Sequence, residues 1–341
     1  MKKIKILKRQ HITALGQEPF EQVHASTVAV CGDGSVAAAW FGGTREGHED
    51  VRIWFSKKEA DGRWRRPVAL SEENMRTDWN PALLAQGNRL TLYYKEGRDT
   101  KTWQTFVRVS EDNGETWGDI RMLVPGDTFG RGPVKNKPVV LSNGDILAGA
   151  SIEDSLARWD LFVDISEDNG KTWTKTDAIP FLRPYSSKVI ATREGLEKGA
   201  NGLIQPTIWE NPAHDGRVSM FARSSFSFVY RSDSEDFGRT WSAARPTGIP
   251  NNNSGLDAVM TDGGILALIY NPVGLNWGPR SPLALSLSGD NGESFTETEL
   301  LETVPGEFSY PAITAVGDRL YMTYTWNRRV VAFVEAEITE E

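Results

Sequence analysis

Cysteine is nearly absent. Cys31 is the only one in 341 residues, so the chain has neither an intrachain disulfide framework nor a Cys-rich metal centre. Cys31 ends an apolar, strand-like run just before a turn, which reads as core packing. Histidine is scarce as well, and His11, His24, His48 and His214 are scattered rather than spaced as metal ligands. No metal and no cofactor is implied. No stretch approaches the roughly 18 consecutive apolar residues of a membrane-spanning helix. The opening "MKKIKILKRQHITALGQEPF" has basic residues but no apolar core of signal-peptide type, so the expectation is a cytoplasmic protein. Positive charge is also in deficit: 38 Lys and Arg face 46 Asp and Glu, a net −8 that argues against nucleic acid or an anionic membrane as a partner.

What the chain has instead is repetition. "SEDNGETW" (110–117) returns as "SEDNGKTW" (166–173), "SEDFGRTW" (234–241) and "SGDNGESF" (288–295), with a degenerate form, "SKKEADGRW", at 56–64. Start positions 56, 110, 166, 234 and 288 differ by 54, 56, 68 and 54 residues, a period that suits propeller blades rather than helical repeats. The motif is hairpin-turn chemistry. Asp and Asn tolerate left-handed backbone, Gly supplies positive φ and the aromatic packs beneath, so its role is structural.

Each copy occupies the same place in a longer unit. Six segments read as inner strands: "HASTVAV" (24–30), "NPALLAQ" (80–86), "NKPVVLS" (136–142), "QPTIWEN" (205–211), "GLDAVMT" (255–261) and "YPAITAV" (310–316). Each leads through a turn into a second apolar run, and a third strand runs on into the repeat motif. The sixth unit lacks a fourth strand, and "KIKILKRQ" near the N-terminus is of a length to supply it. The expected fold is therefore all-β. A single six-bladed β-propeller domain fills 1–341, with blades near 20–72, 78–126, 132–180, 203–250, 254–304 and 308–338, and strand 3–10 closes the last blade.

Strand alternation sorts the loops. Those leading into first strands and those between second and third strands share one end of the ring, and the repeat turns lie at the other. The first group is rich in chemistry: "GGTREGHED" (42–50), "KEGRDTKTW" (95–103), "SIEDSLARWD" (151–160), "ARSSFS" (222–227), "NPVGLNWGPRS" (271–281) and "TWNRR" (325–329). The starts of the inner strands add His24, Trp79, Asn80, Lys135, Lys137, Gln205, Asp257 and Tyr310. Aromatics that stack on sugars, cations that clamp carboxylates and carboxylates that move protons converge here as they do in a carbohydrate site. Lys95, Lys135 and Lys137 join the arginines of these loops in an expected cationic funnel, with Trp103, Glu153 and Trp159 at its border. The segment 181–203, which accounts for the one long spacing, is expected either to cover the funnel in part or to pack on its rim.

"HASTV", "WFGGTREGHEDVRIW", "WNP", "KNKPV", "IQP", "NSGLDAV", and "YPA" followed by "TYTW", in that order, resemble the sialidase superfamily, specifically predicted neuraminidases with BNR or Asp-box repeats. Such enzymes hold a substrate carboxylate with three arginines, attack with a tyrosine assisted by a glutamate, and use an aspartate as acid/base. The resemblance makes Arg223 the second arginine, Arg280 the third, Tyr310 the nucleophile and Asp50 the acid/base, with Glu46 as its rival. In two places the chain departs from the pattern. His24 stands where the first arginine belongs, and Gln205 replaces the glutamate. A tyrosine with an ordinary pKa of roughly 10 needs a base nearby, and His24 is a candidate. The implied activity is an exo-glycosidase acting on a terminal acidic sugar, a small molecule or the end of an oligosaccharide. The alternatives are a uronate-type lyase on the same fold and a glycan-binding propeller without turnover.

Overall fold

Each apolar run of the sequence folds as a strand, and the glycine- and asparagine-bearing segments between them fold as tight turns. The computed structural model describes residues 2–16, 18–127, 129–154, 158–183 and 201–340, so most of the segment expected at the funnel, 184–200, lies outside the described residues. Among the described residues there is no helix.

The first sheet is Gln22–Val30, Val36–Gly43, Arg52–Lys57 and Val68–Ala69, and the second is Asp78–Gln86, Arg89–Glu96, Gln104–Ser110 and Arg121–Met122. An eight-stranded sheet follows, made of two antiparallel four-strand runs. Arg158 and Trp159 join them by pairing in parallel with Asn201 and Gly202. Asp257–Met260, Leu266–Tyr270, Leu283–Ser288 and Glu297–Glu302 form the next sheet. In the last sheet Lys2–His11 pairs antiparallel with Val330–Glu340, from Lys2 opposite Glu340 to His11 opposite Ala332. The N-terminal strand thus supplies the fourth strand that the last repeat lacks.

Apolar clusters join successive units. Phe41, Ile53 and Phe55 pack with Leu83, Leu90 and Leu92, and Ala82 and Tyr93 pack with Ile146 and Trp173. Leu161 and Val163 meet Leu203 and Met220, Trp209 and Phe221 meet Leu256 and Leu266, and Leu285 and Leu287 meet Ile313 and Met322. The last unit packs on the first through Ala312, Val331 and Phe333 against Val28, Ala38 and Trp40. In "NKPVVLS" the strand shrinks to Val139–Val140. Pro138 has no N–H for the ladder, and the residues before it are tied to neighbouring units instead: Asn136 Nδ2 donates to the Gln205 carbonyl at 3.0 Å, and Lys137 pairs with Asp257 at 3.1 Å.

The repeat motif closes on itself. Ser110 Oγ donates to Asp112 Oδ1 at 2.7 Å and accepts from Gly114 N at 2.8 Å, while Asp112 accepts from Thr116 N at 2.8 Å and Thr116 Oγ1 at 2.5 Å. Asn113 and Gly114 take φ of 60° and 83°, which is why Asn-Gly recurs there. The same bonds recur around Asp168, Asp236 and Asp290.

One buried acid departs from this economy. Asp78 is buried, and its two oxygens find no hydrogen-bond donor among the described residues. Burial above all, with Glu96 nearby, pushes its carboxyl well above the usual range. A carboxyl raised in the folded state binds its proton more tightly there than in the unfolded chain. The contribution of this group to stability is therefore fully present below the unfolded pKa of about 3.9 and is lost as pH rises towards the folded value. Asp78→Asn is expected to raise the melting temperature at pH 8 by a few degrees, with the gain fading below about pH 4. Melting curves across this range check it, and an equal gain at every pH would mean that the carboxylate is not the cause.

Candidate active site

Four inner strands start with the same irregularity. The register slips between His24 and Thr27, Trp79 and Ala82, Ile204 and Thr207, and Ser309 and Ala312. At each slip a non-glycine residue takes left-handed backbone: Ala25 (φ 52°), Asn80 (34°), Gln205 (55°) and Tyr310 (49°). Bulges of this kind break the ladder and re-aim side chains, and such strained conformations cluster at functional sites. Here they bring Asn80, Gln205 and Tyr310 to the wall of one cavity of about 320 Å³. Its remaining wall comes from the facing ends of second and third strands, which carry Glu153, Trp159 and Arg223, and from the loops between such strands, which carry Glu46, Thr100, Trp103, Trp277, Arg280 and Arg328, beside Trp79 and Ile204. A hollow of about 470 Å³ elsewhere is lined by Lys57, Asp33 and Glu115, whose charges pair off, so size does not mark the site.

Tyr310 is the centre. Its hydroxyl accepts from Arg223 Nη1 at 2.6 Å and from Gln205 Nε2 at 3.3 Å, and Gln205 Oε1 in turn accepts from Arg223 Nη1 at 3.2 Å. His24 packs against the tyrosine with ring centroids 4.1 Å apart. Its Nδ1 lies 2.8 Å from Thr325 Oγ1, and its buried Nε2 has no partner among the described residues. Burial, then the charges of Arg328, Arg280, Arg223 and Lys135, hold the imidazole well below its ordinary pKa, hence neutral. Arg280 donates to Glu307 at 2.9 Å and Ser309 Oγ at 3.2 Å, and Arg328 to Glu307 at 2.6 Å and Glu46 at 2.5 Å.

The structure separates the expected carboxylates. Asp50 does not line the cavity: its carboxylate turns into its own loop, accepting from Thr44 Oγ1 at 2.6 Å and facing His48 Nδ1 at 2.7 Å. Partial burial raises its pKa, but these hydrogen bonds outweigh it and leave the group below the usual carboxylate range, without a proton to give. Glu153 does line the cavity. Burial pushes its carboxyl up against the opposing charge of Arg223 and a hydrogen bond from Thr100, 3.2 Å away.

The three lysines do not make a funnel. Lys95 is fully buried on Thr105 Oγ1 at 2.7 Å and the Arg131 carbonyl at 2.5 Å, and burial lowers it to about 7. Lys135, likewise lowered to about 7 by burial, bonds the carbonyls of Pro311 and Leu256 and Asn136 Oδ1. Lys137 and Asp257 neutralise each other, and Asp257 also accepts from Thr207 Oγ1 at 2.7 Å and Ile313 N at 3.0 Å. A charged group inside the protein is held by whichever partners are nearest, so these residues brace the inner strands rather than face the cavity. The residue that sequence reasoning passed over is Arg328. It stood in view within "TWNRR", but nothing local separates it from Arg329. Its side chain enters beside His24, where the first arginine of the resemblance is missing.

The sequence of residues 34–322 matches a family model described as a BNR repeat-like domain. The chain belongs to the BNR repeat-like domain family. Among solved structures, this BNR-repeat protein is similar to the Hadza microbial sialidase Hz136, with a TM-score of 0.78 at 15% identity over 96% of this chain and 68% of that one. It is similar to a Dyadobacter fermentans protein of unknown function (TM-score 0.76, 15% identity, covering 98% of this chain and 99% of that one). A Trypanosoma rangeli sialidase in complex with the inhibitor DANA gives 0.69 at 16% identity, over 96% of this chain and 59% of that one. No curated protein matches the sequence. The shared fold is the sialidase-like propeller.

Proposed function

We propose that this BNR-repeat protein is a glycoside hydrolase that releases a terminal acidic sugar, a sialic acid, another keto acid sugar or a uronic acid, from a small molecule or oligosaccharide. The observation that carries the proposal is the convergence of Arg223, Arg280 and Arg328 on the cavity that holds Tyr310. Guanidinium groups bind carboxylates through two parallel hydrogen bonds, and three around one hollow suit an anionic sugar. The sialidase-like neighbours support the same reading. The scaffold is taken as a closed ring of six blades, supported by the packing of the last unit on the first.

In this mechanism the sugar carboxylate enters among the arginines and offsets the charges that depress His24. A more basic His24, packed on the Tyr310 ring with an unpartnered Nε2, would take the phenol proton once that nitrogen comes within reach of the hydroxyl. The Tyr310 oxygen bonds to the anomeric carbon as the glycosidic bond breaks, and Glu153 protonates the departing oxygen. Water, deprotonated by Glu153, then cleaves the tyrosyl–sugar bond, and His24 returns its proton to the departing Tyr310 phenolate, which restores the site. One feature favours a second reading, a glycan-binding propeller: Gln205 is an amide and cannot take the proton of Tyr310.

Incubation with synthetic sialosides and uronic acid glycosides, following released sugar together with near-ultraviolet absorbance, distinguishes the possibilities. Release of an acidic sugar without an absorbing product is expected. An unsaturated, absorbing product would indicate a lyase, and saturable binding without either product would establish the binding protein.

A further inference from the structure

The three arginines of the cavity are not equivalent. Arg280 is paired with Glu307 at 2.9 Å, and Arg328 with Glu307 at 2.6 Å and Glu46 at 2.5 Å. Arg223 is buried at 3% exposure, yet among the described residues it pairs with no carboxylate. Glu153 feels its charge but stands outside ion-pair distance. Its hydrogen-bond partners among the described residues are neutral: Asn253 Oδ1 accepts from its Nε at 2.8 Å, Gln205 Oε1 from Nη1 at 3.2 Å, and Tyr310 Oη from Nη1 at 2.6 Å. Rings of Trp159, Trp277 and Tyr310 stand 5.4, 5.8 and 5.7 Å from the guanidinium carbon.

The neutral partners are firmly held. Asn251, Asn252 and Asn253 are each only 1% exposed. Asn253 Nδ2 donates to Asn276 Oδ1 at 2.8 Å, which leaves its oxygen, rather than its nitrogen, facing Arg223. Asn251 Oδ1 accepts from Ser224 N and Asn253 N, both at 3.2 Å, and Asn252 Nδ2 donates to the Pro279 carbonyl at 2.6 Å. The run therefore links the strand end that carries Arg223 to the loop that carries Arg280. Gln205 is held by its left-handed backbone and by the Asn136 bond to its carbonyl.

A buried charge without a counter-charge is costly to the empty protein and is most strongly attractive to an anion that can reach it. We propose that Asn253 and Gln205 are charge-sparing positioning residues: neutral amides that fix the geometry of Arg223 while leaving its full positive charge for the carboxylate of a bound sugar. This rests on the acidic-sugar reading of the cavity. It also gives Gln205 a reason of its own, since a glutamate there would occupy Arg223 before the ligand arrived.

The test compares the wild-type protein with Gln205→Glu and Asn253→Asp, both nearly isosteric, and aspartate tolerates the left-handed backbone of Asn253. Melting temperature is measured without ligand, and binding of free N-acetylneuraminic acid and glucuronic acid is measured by calorimetry. The expected result is opposite movement: each variant melts higher by a few degrees and binds the acidic sugar about tenfold or more weakly. Damage to packing would lower both, so this inverse response separates charge sparing from a structural role. Lower melting temperatures in both variants, or unchanged affinity, would overturn the proposal. So would a Gln205→Glu protein that turns over faster at unchanged KM, because the amide would then be a defective base. If the wild type binds neither sugar but both variants still melt higher, the substrate class falls and the charge-sparing assignment stands.

Discussion

Tyr310→Phe is expected to lower kcat for an acidic glycoside by roughly 10³-fold or more, with the fold and the affinity for the free acidic sugar retained. The ring belongs to the apolar cluster between the first two sheets and packs on His24 at 4.1 Å, so phenylalanine keeps that contact. What goes is a hydroxyl that accepts from Arg223 and Gln205. Arg223 Nη1 keeps Gln205 Oε1 at 3.2 Å and Nε keeps Asn253, so the guanidinium is not left without partners. The substitution therefore tests one atom. Steady-state kinetics beside calorimetry decide it: turnover near the wild-type rate would remove Tyr310 from the nucleophile's role, and loss of binding would make it a receptor group instead.

Glu153→Gln is the second large effect. Burial keeps the Glu153 carboxyl protonated to higher pH than an ordinary glutamic acid, as an acid catalyst requires. The proton is lost as pH rises through the raised value, so kcat/KM should fall on the alkaline side, and glutamine should abolish that limb. For leaving groups that need a proton the loss is about 10²- to 10⁴-fold, and for an aryl glycoside with an acidic phenol it should be far smaller. Rates for an alkyl and an aryl glycoside of the same sugar, measured from pH 4 to about 9, check this. An equal loss for both, with the alkaline limb intact, would exclude Glu153 as the proton donor.

The strand units were legible because their signals are local. Alternating side chains, Asn-Gly turns and a motif returning at near-constant spacing all act within a few residues. The pairing of Lys2–His11 with Val330–Glu340 was legible too, from a repeat one strand short and a spare strand of matching length. Tyr310, Gln205, Arg223 and Arg280 were placed by resemblance, and all four line the cavity. Asp50 was misplaced because its loop satisfies it: Thr44 and His48 lie within six residues and take its oxygens first.

The sequence by itself determined an all-β chain of repeated antiparallel units, the end of those units where the functional loops gather, and most of the aromatic wall of the cavity. Tertiary structure decided which charges are free to act. Lys95, Lys135 and Lys137 looked like substrate cations, but carbonyls and Asp257, brought in from other units, use them up. Arg328 enters the site, and among the described residues Arg223 alone of the three cavity arginines has no carboxylate partner. The reason is range. Strand and turn preferences depend on neighbours in the chain, whereas the state of a charge in the site depends on partners up to 282 residues away, as for Arg328 and Glu46, which meet only when the fold forms.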